Sequence, residues 1–258
     1  PTTVNRSINA LRSLFKFLTI TADNNNGQPY FERNVMLKIE SLNSTKTLNY
    51  RAHVLESHMY TGDLKYQFLD FIDLEFEHRC NKQALPSFRK NKERDLAIIA
   101  LILGTGIRVS ECAGVNLQDL NLKEAVLDVT RKGGQRDSVP IAEWTIDYLI
   151  EYKKIRSQRY QADKKMTAFF LTRWHNQTRR ITTNAIEKMV NKYSASFGHP
   201  LTPHKLRHTL ASELYGVTKD QVLVAQQLGQ KGTSATDLYT HVDQTKQREA
   251  LNKIDNDK

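Results

Sequence analysis

The longest unbroken apolar run in this chain, "LAIIALIL" at 96–103, is only eight residues long. A membrane-spanning helix needs about 18 or more. The run therefore belongs to an ordinary helix, "NKERDLAIIALILGTG", which Gly104 and Gly106 end where a left-handed cap costs little. The chain's other apolar residues recur mostly at helical spacing. Val4, Ile8, Leu11, Phe15 and Leu18 predict an amphipathic helix over 2–18, and Leu64, Phe68, Phe71 and Ile72 predict another over 63–79. Further helices are predicted at 143–159, 182–195, 203–215, 219–228 and 233–240.

One segment changes period. In "AVLDVTRKGGQRDSVPI" two short β-rich runs flank Gly133-Gly134, a hairpin signal. The polar stretch "ESLNSTKTLNYR" at 40–51 has no strong period and reads as a linker, and a polar tail follows residue 243. The expectation is a mostly α protein with one small antiparallel β-sheet.

Hydrophobic residues make up 39% of the 258, enough to bury a core. Lys and Arg number 38 against 28 Asp and Glu, a formal charge of +10. Such a surplus favours a polyanionic partner, nucleic acid before an acidic membrane surface, although a merely basic protein fits it too. Cys80 and Cys112 form no CxxC pair, which argues against a disulfide framework or a cysteine zinc site and fits a reducing compartment. A cytoplasmic protein is expected. The chain opens at Pro1 rather than methionine, so a longer, N-terminally trimmed parent is expected as well.

Four segments carry candidate chemistry. "TPHKLRH" at 202–208 offers Thr202 as N-cap and Pro203 at the first helical position. His204 and His208 lie four apart, as zinc ligands would, but Lys205 stands where a general-base Glu belongs and no third ligand is near in sequence. His204 and Arg207 would suit a phosphate, yet alone they amount to a basic helix face. "GTGIRVSE" places Arg108 after a glycine turn, with Glu111 one turn later as its buttress. "TRKGGQR" sets Arg131, Lys132 and Arg136 around a hairpin tip, where solvated charge is the ordinary reading. Tyr239, in "LYTHV", becomes a nucleophile candidate only if cations converge on it.

In order, "TGIRVSE … RKGGQR … HKLRH … LGQ … LYTHV" resembles the tyrosine recombinase (phage integrase) superfamily over about residues 105–242, nearest to its chromosome-dimer resolution branch. The stretches "TVNRSINALRSLFKFLT" and "YFERNVM" resemble the end of that family's helical core-binding domain, which implies that much of that domain lies upstream of Pro1. The resemblance implies a core-binding piece at 1–40, a linker at 41–57, a catalytic domain at 58–242 and a tail at 243–258 that docks on a neighbouring protomer.

It also assigns roles. Tyr239 would attack a DNA phosphodiester and form a 3′-phosphotyrosyl link. Arg108 and Arg207 would clamp the phosphoryl oxygens, and His204 would hold the phosphate or manage the tyrosine proton. Lys132 would protonate the leaving 5′-oxygen, with Glu111 in support. Arg131, Arg136, Lys205 and Arg180 would contact DNA, while His208 and His241 would pack or hydrogen-bond locally. The implied assembly is a homotetramer on two DNA sites, controlled by a DNA translocase of the FtsK type, with no cofactor, no metal and no membrane partner. Two other readings share part of this evidence, a type IB topoisomerase-like nicking-closing enzyme and a DNA-binding module of weakened catalysis. One position departs from the family pattern: Gln230 stands where His or Trp usually follows Leu-Gly. Gln keeps a donor but cannot carry charge, which predicts a slowed, competent site.

Overall fold

A computed structural model describes residues 2–42, 46–47, 50, 54, 59–230, 232 and 236. The chain divides into two compact units, Pro1–Tyr50 and Arg51–Lys258. In the first, α1 (Thr2–Lys16) continues into a π-helical turn, Phe17–Thr21, and a 3-10 turn follows at Val35–Lys38. Asn34 caps that turn by accepting from the Met36 N–H. Asn5 and the Leu42 backbone exchange two hydrogen bonds of 2.8 Å, and Phe15 stacks on Phe31. The many exposed apolar side chains of this unit, among them Leu11, Leu14, Phe17 and Ile20, leave it with Met36 as its buried hydrophobic residue among those described.

The second unit is built around one helix. After α2 (Leu64–Asp70), a π turn and the short α3 (Phe76–Arg79), the chain enters α4 (Leu85–Thr105). Every residue of α4 from Arg94 to Thr105 is buried. A helix apolar on all sides has no solvent face to offer, so other elements must surround it. Helices α6 (Ile146–Tyr160) and α8 (Pro203–Thr218) pack along it, and α7 (Thr183–Phe197) joins them. The two charged residues within the buried stretch of α4 are satisfied. Arg94 donates to Asp95 and to the Leu171 carbonyl at 2.9 Å, and the Tyr193 hydroxyl donates to Asp95 at 2.7 Å.

Helix α4 starts at Leu85, earlier than the apolar period alone predicts, because Leu85 and Phe88 also reach the core and Pro86 fits the first turn. It ends at Thr105, with Gly106 in a left-handed cap at φ 69°. Helix α5 (Val109–Gly114) follows at once. Strand β1 (Leu120–Asn121) pairs antiparallel with β2 (Val126–Thr130), which pairs with β3 (Arg136–Pro140) in the register Val126↔Pro140 to Thr130↔Arg136. Leu127, Val129 and Val139 point to the core, and Gly133 and Gly134 turn the tip at φ 97° and 83°.

The expectation of one small sheet needs correction, since the described residues hold two. Strands β4 (Leu171–Trp174) and β5 (Gln177–Arg180) form a second antiparallel hairpin. Its tip is His175-Asn176, both at positive φ, so the turn lacks the glycine that marked the first one. Helix α9 (Gln221–Leu228) closes the described fold, its N-terminus capped by Asp220. All of the helix predicted at 233–240 except Thr236, together with the tail from 243 and most of the linker, lies outside the described residues.

Candidate active site

Three segments meet beside the C-terminal end of α4: the α4–α5 turn, the tip of the β2–β3 hairpin and the end of α9. They line a cleft of about 1010 Å³ whose walls include Arg108, Lys132, Arg136, Gly229 and Gln230. The sequence alone placed these residues over more than a hundred positions, and folding puts them on one surface.

Arg108 is the N-cap of α5, and its backbone N–H donates to Glu111 Oε2 at 2.7 Å. Its side chain donates to Glu111 Oε1, also at 2.7 Å, and reaches the Gly229 carbonyl at 3.5 Å. Glu111 is buried and carries a second guanidinium: Arg131 Nη1 donates to its Oε2 at 3.1 Å. One carboxylate thus orients two arginines. A charged acceptor that takes three such donors is held firmly in position.

Arg207, on α8, is buried and donates to the Gly106 carbonyl at 2.6 Å and the Leu228 carbonyl at 2.8 Å. It therefore ties α8 to the turn before Arg108 and to the end of α9. Thr202 caps α8 and Pro203 opens it, as the sequence predicts. His204 stands exposed on the first turn, lining a neighbouring groove with Thr202, Pro203, Asn184, Lys188 and Lys192. Partial desolvation, then the charges of Arg207 and Arg108, hold its pKa below the ordinary value. The ring is neutral near pH 7 and able to accept a proton. His208 packs edge-on against it, with centroids 4.4 Å apart. Burial, His204 and Arg207 push the His208 pKa down to about 4. Among the described residues, no three His, Cys, Asp or Glu side chains are grouped so as to hold a metal ion.

Lys132 is exposed at the hairpin tip and lines the cleft. Gln230 also lines it, with its Oε1 buried and without a hydrogen-bond partner. Arg136 is exposed and 3.4 Å from Asp119, and Lys205 is half-buried on α8. Of the other two arginines expected to contact DNA, Arg131 is buried and Arg180 half-buried. Arg131 is bonded inward, and Arg180 donates to the carbonyls of Ala113 and Val115 and to Asn116, bracing the end of α5. Tyr239 and His241 lie outside the described residues. Asp137 and Gln227, which the sequence did not single out, both bond Arg131, and no local motif marks either.

The phage integrase family matches residues 77–246. The chain belongs to this family. It is a site-specific tyrosine recombinase, an enzyme of DNA strand exchange. It is 51% identical to the tyrosine recombinase XerS of Streptococcus gordonii, over 98% of this chain and 71% of that protein. The XerS of Streptococcus pneumoniae is 50% identical over the same shares. In structure the chain is similar to the XerH site-specific recombinase in a post-cleavage complex with a palindromic difH substrate, with a TM-score of 0.73. That likeness has 22% identity and covers 97% of this chain and 66% of XerH. A lambda integrase dimer on a core site matches with a TM-score of 0.58 at 14% identity. At these identities the structural likenesses show the fold of a tyrosine recombinase.

Proposed function

We propose that the chain cleaves and rejoins DNA strands through a 3′-phosphotyrosyl intermediate on Tyr239, and that it resolves chromosome dimers in the cytoplasm during cell division. The observation that carries the reading is the convergence of Arg108, Lys132 and Gln230 on one cleft, with Arg207 and a neutral His204 adjoining. The identity to XerS proteins supports the chromosomal role.

In this mechanism the Tyr239 oxygen attacks the scissile phosphorus as the phenol loses its proton, and His204 is the local base. A phenol has a pKa of about 10, so an acceptor close by is needed near neutral pH. The bond from phosphorus to the 5′-oxygen breaks, and Lys132 supplies the proton that the departing oxygen takes up. Arg108 and Arg207 stabilise the charge on the non-bridging oxygens. Religation reverses each step. One phosphodiester replaces another, so no external energy source is required. Glu111 acts through Arg108, while Gln230 offers an amide where the family usually has an imidazole. Arg136 and Lys205 contact DNA phosphates, which makes affinity fall with salt.

Residues 1–40 are the end of a core-binding domain, 41–57 a linker, 58–242 the catalytic domain and 243–258 a docking tail. The working assembly is a homotetramer on two sites, controlled by a DNA translocase of the FtsK type. A nicked suicide duplex carrying the target site tests the chemistry. It should yield a denaturant-resistant protein–DNA adduct that disappears in Tyr239→Phe, and absence of any adduct at low salt overturns the reading. Transfer between two labelled duplexes separates recombination from supercoil relaxation by a topoisomerase-like enzyme.

A further inference from the structure

Arg131 sits next to Lys132 in sequence, yet one side chain is buried and the other exposed. The buried guanidinium joins three segments. Its Nε donates to Asp137 Oδ2 at 2.9 Å, on the returning strand of its own hairpin. Its Nη1 donates to Glu111 Oε2 at 3.1 Å, and its Nη2 donates to the Gln227 carbonyl at 3.2 Å, near the end of α9. The backbone around it is closed as well, since the Arg131 N–H donates to the Gln135 carbonyl at 2.8 Å and its own carbonyl accepts from Gly134 at 3.0 Å. A planar fork with donors in fixed directions can hold three acceptors from three elements at once, which a lysine cannot.

Gly229 reports how tight this fit is. It lies at φ 58°, and a Cβ there would run into Arg131 Nε and come within 2.5 Å of Cζ. The guanidinium thus lies against bare backbone, one residue before Gln230. Arg131 is the buried side chain that ties the hairpin tip to α5 and α9, whereas the tip residues Lys132 to Gln135 are themselves exposed. Arg108 makes its own two bonds to Glu111, one of them to Oε1, which Arg131 does not touch. The anchorage of Lys132 is what depends on it.

We propose that Arg131 is a positioning residue for Lys132: it fastens the hairpin to α5 and α9 so that the neighbouring ammonium is held at the leaving 5′-oxygen. This rests on the strand-cleavage reading above, and the test separates the two. The 258-residue chain and its Arg131→Met and Arg131→Lys variants are given two nicked suicide duplexes. One has the natural 5′-oxygen at the scissile phosphate, and the other has sulfur in that bridging position. A thiolate leaves without a proton, so cleavage of the second duplex does not need the general acid. The unsubstituted chain must first form adduct with the natural duplex, and its failure overturns the cleavage reading itself.

Given that activity, Arg131→Met should lose about 10²-fold in adduct rate on the oxygen duplex, the low end of what general acid catalysis supplies. On the sulfur duplex it should lose no more than a few-fold, the same signature as Lys132→Met. Arg131→Lys keeps the charge without the fork and should show the same selective loss to a smaller degree. Equal losses on both duplexes in Arg131→Lys would mean that the arginine only holds the fold together. Unchanged rates at saturating DNA with weakened, less salt-sensitive affinity would make it a phosphate contact. Either result overturns the proposal.

Discussion

Glu111→Gln is the sharpest perturbation the site offers, because it removes a charge and leaves the shape. Three donors converge on this carboxylate: the Arg108 N–H and Nη1, both at 2.7 Å, and Arg131 Nη1 at 3.1 Å. Glutamine has one acceptor oxygen. Whichever way it turns, its NH2 faces at least one of these donors, and the buried Arg131 keeps only Asp137 as a charged partner. Hydrogen bonds to charged groups contribute about 1.5–3 kcal/mol each, and breaking a buried pair costs about 3–5 kcal/mol. The Arg108 side chain is 34% exposed and can turn to water, which discounts its share. A loss of about 3 kcal/mol follows, at the low end of the cost of a broken buried pair.

Urea denaturation followed by tryptophan fluorescence is the assay. The chain has 2 tryptophans, and both Trp144 and Trp174 lie in the unit Arg51–Lys258 that contains Glu111. The signal therefore reports that unit alone. The urea midpoint should fall with an unchanged slope, and Tm should drop by about 6–12 °C for a domain of this size. A loss under about 1 kcal/mol would refute the reasoning, since it would mean that water already satisfies the arginines around Glu111.

Two further outcomes are expected. His208 is neutral in the fold, with its pKa pushed down to about 4 by burial, His204 and Arg207. The unfolded chain takes up that proton first as pH falls, so the stability contributed by the neutral ring is full above about pH 6.5 and is lost towards pH 4. The stability difference between wild type and His208→Asn should shrink over that window, and parallel pH profiles would contradict it. Gln230→His should raise the rate of adduct formation by less than about 10²-fold, because the amide already keeps a donor in the cleft. An unchanged or lower rate would show that the imidazole is not what this site lacks.

Most of the helices were legible in the sequence because their apolar residues repeat at 3.6 and their caps are local. Thr202-Pro203 opens α8 and Gly106 ends α4 as read. The β2–β3 hairpin was equally plain, since Gly133-Gly134 names its own turn. The β4–β5 hairpin was not, because its turn residues, His175 and Asn176, adopt positive φ without a glycine to mark it.

For the site, the family resemblance carried by the order of the segments named Arg108, Lys132, His204, Arg207, Gln230 and Tyr239 as candidates. The buttressing of Arg108 by Glu111 follows from a three-residue spacing on one helix turn. What the sequence could not decide is the direction in which a charged side chain faces. Arg131 and Arg136 flank the same glycines, yet one is buried against Glu111, Asp137 and Gln227 and the other is exposed beside Asp119. The acceptors of Arg131 come from α5 and α9 as well as from its own hairpin, and a guanidinium turns inward only where such acceptors repay its lost hydration. Residue types and their order therefore named the candidates, and which arginine turns inward and which stays exposed was settled by packing.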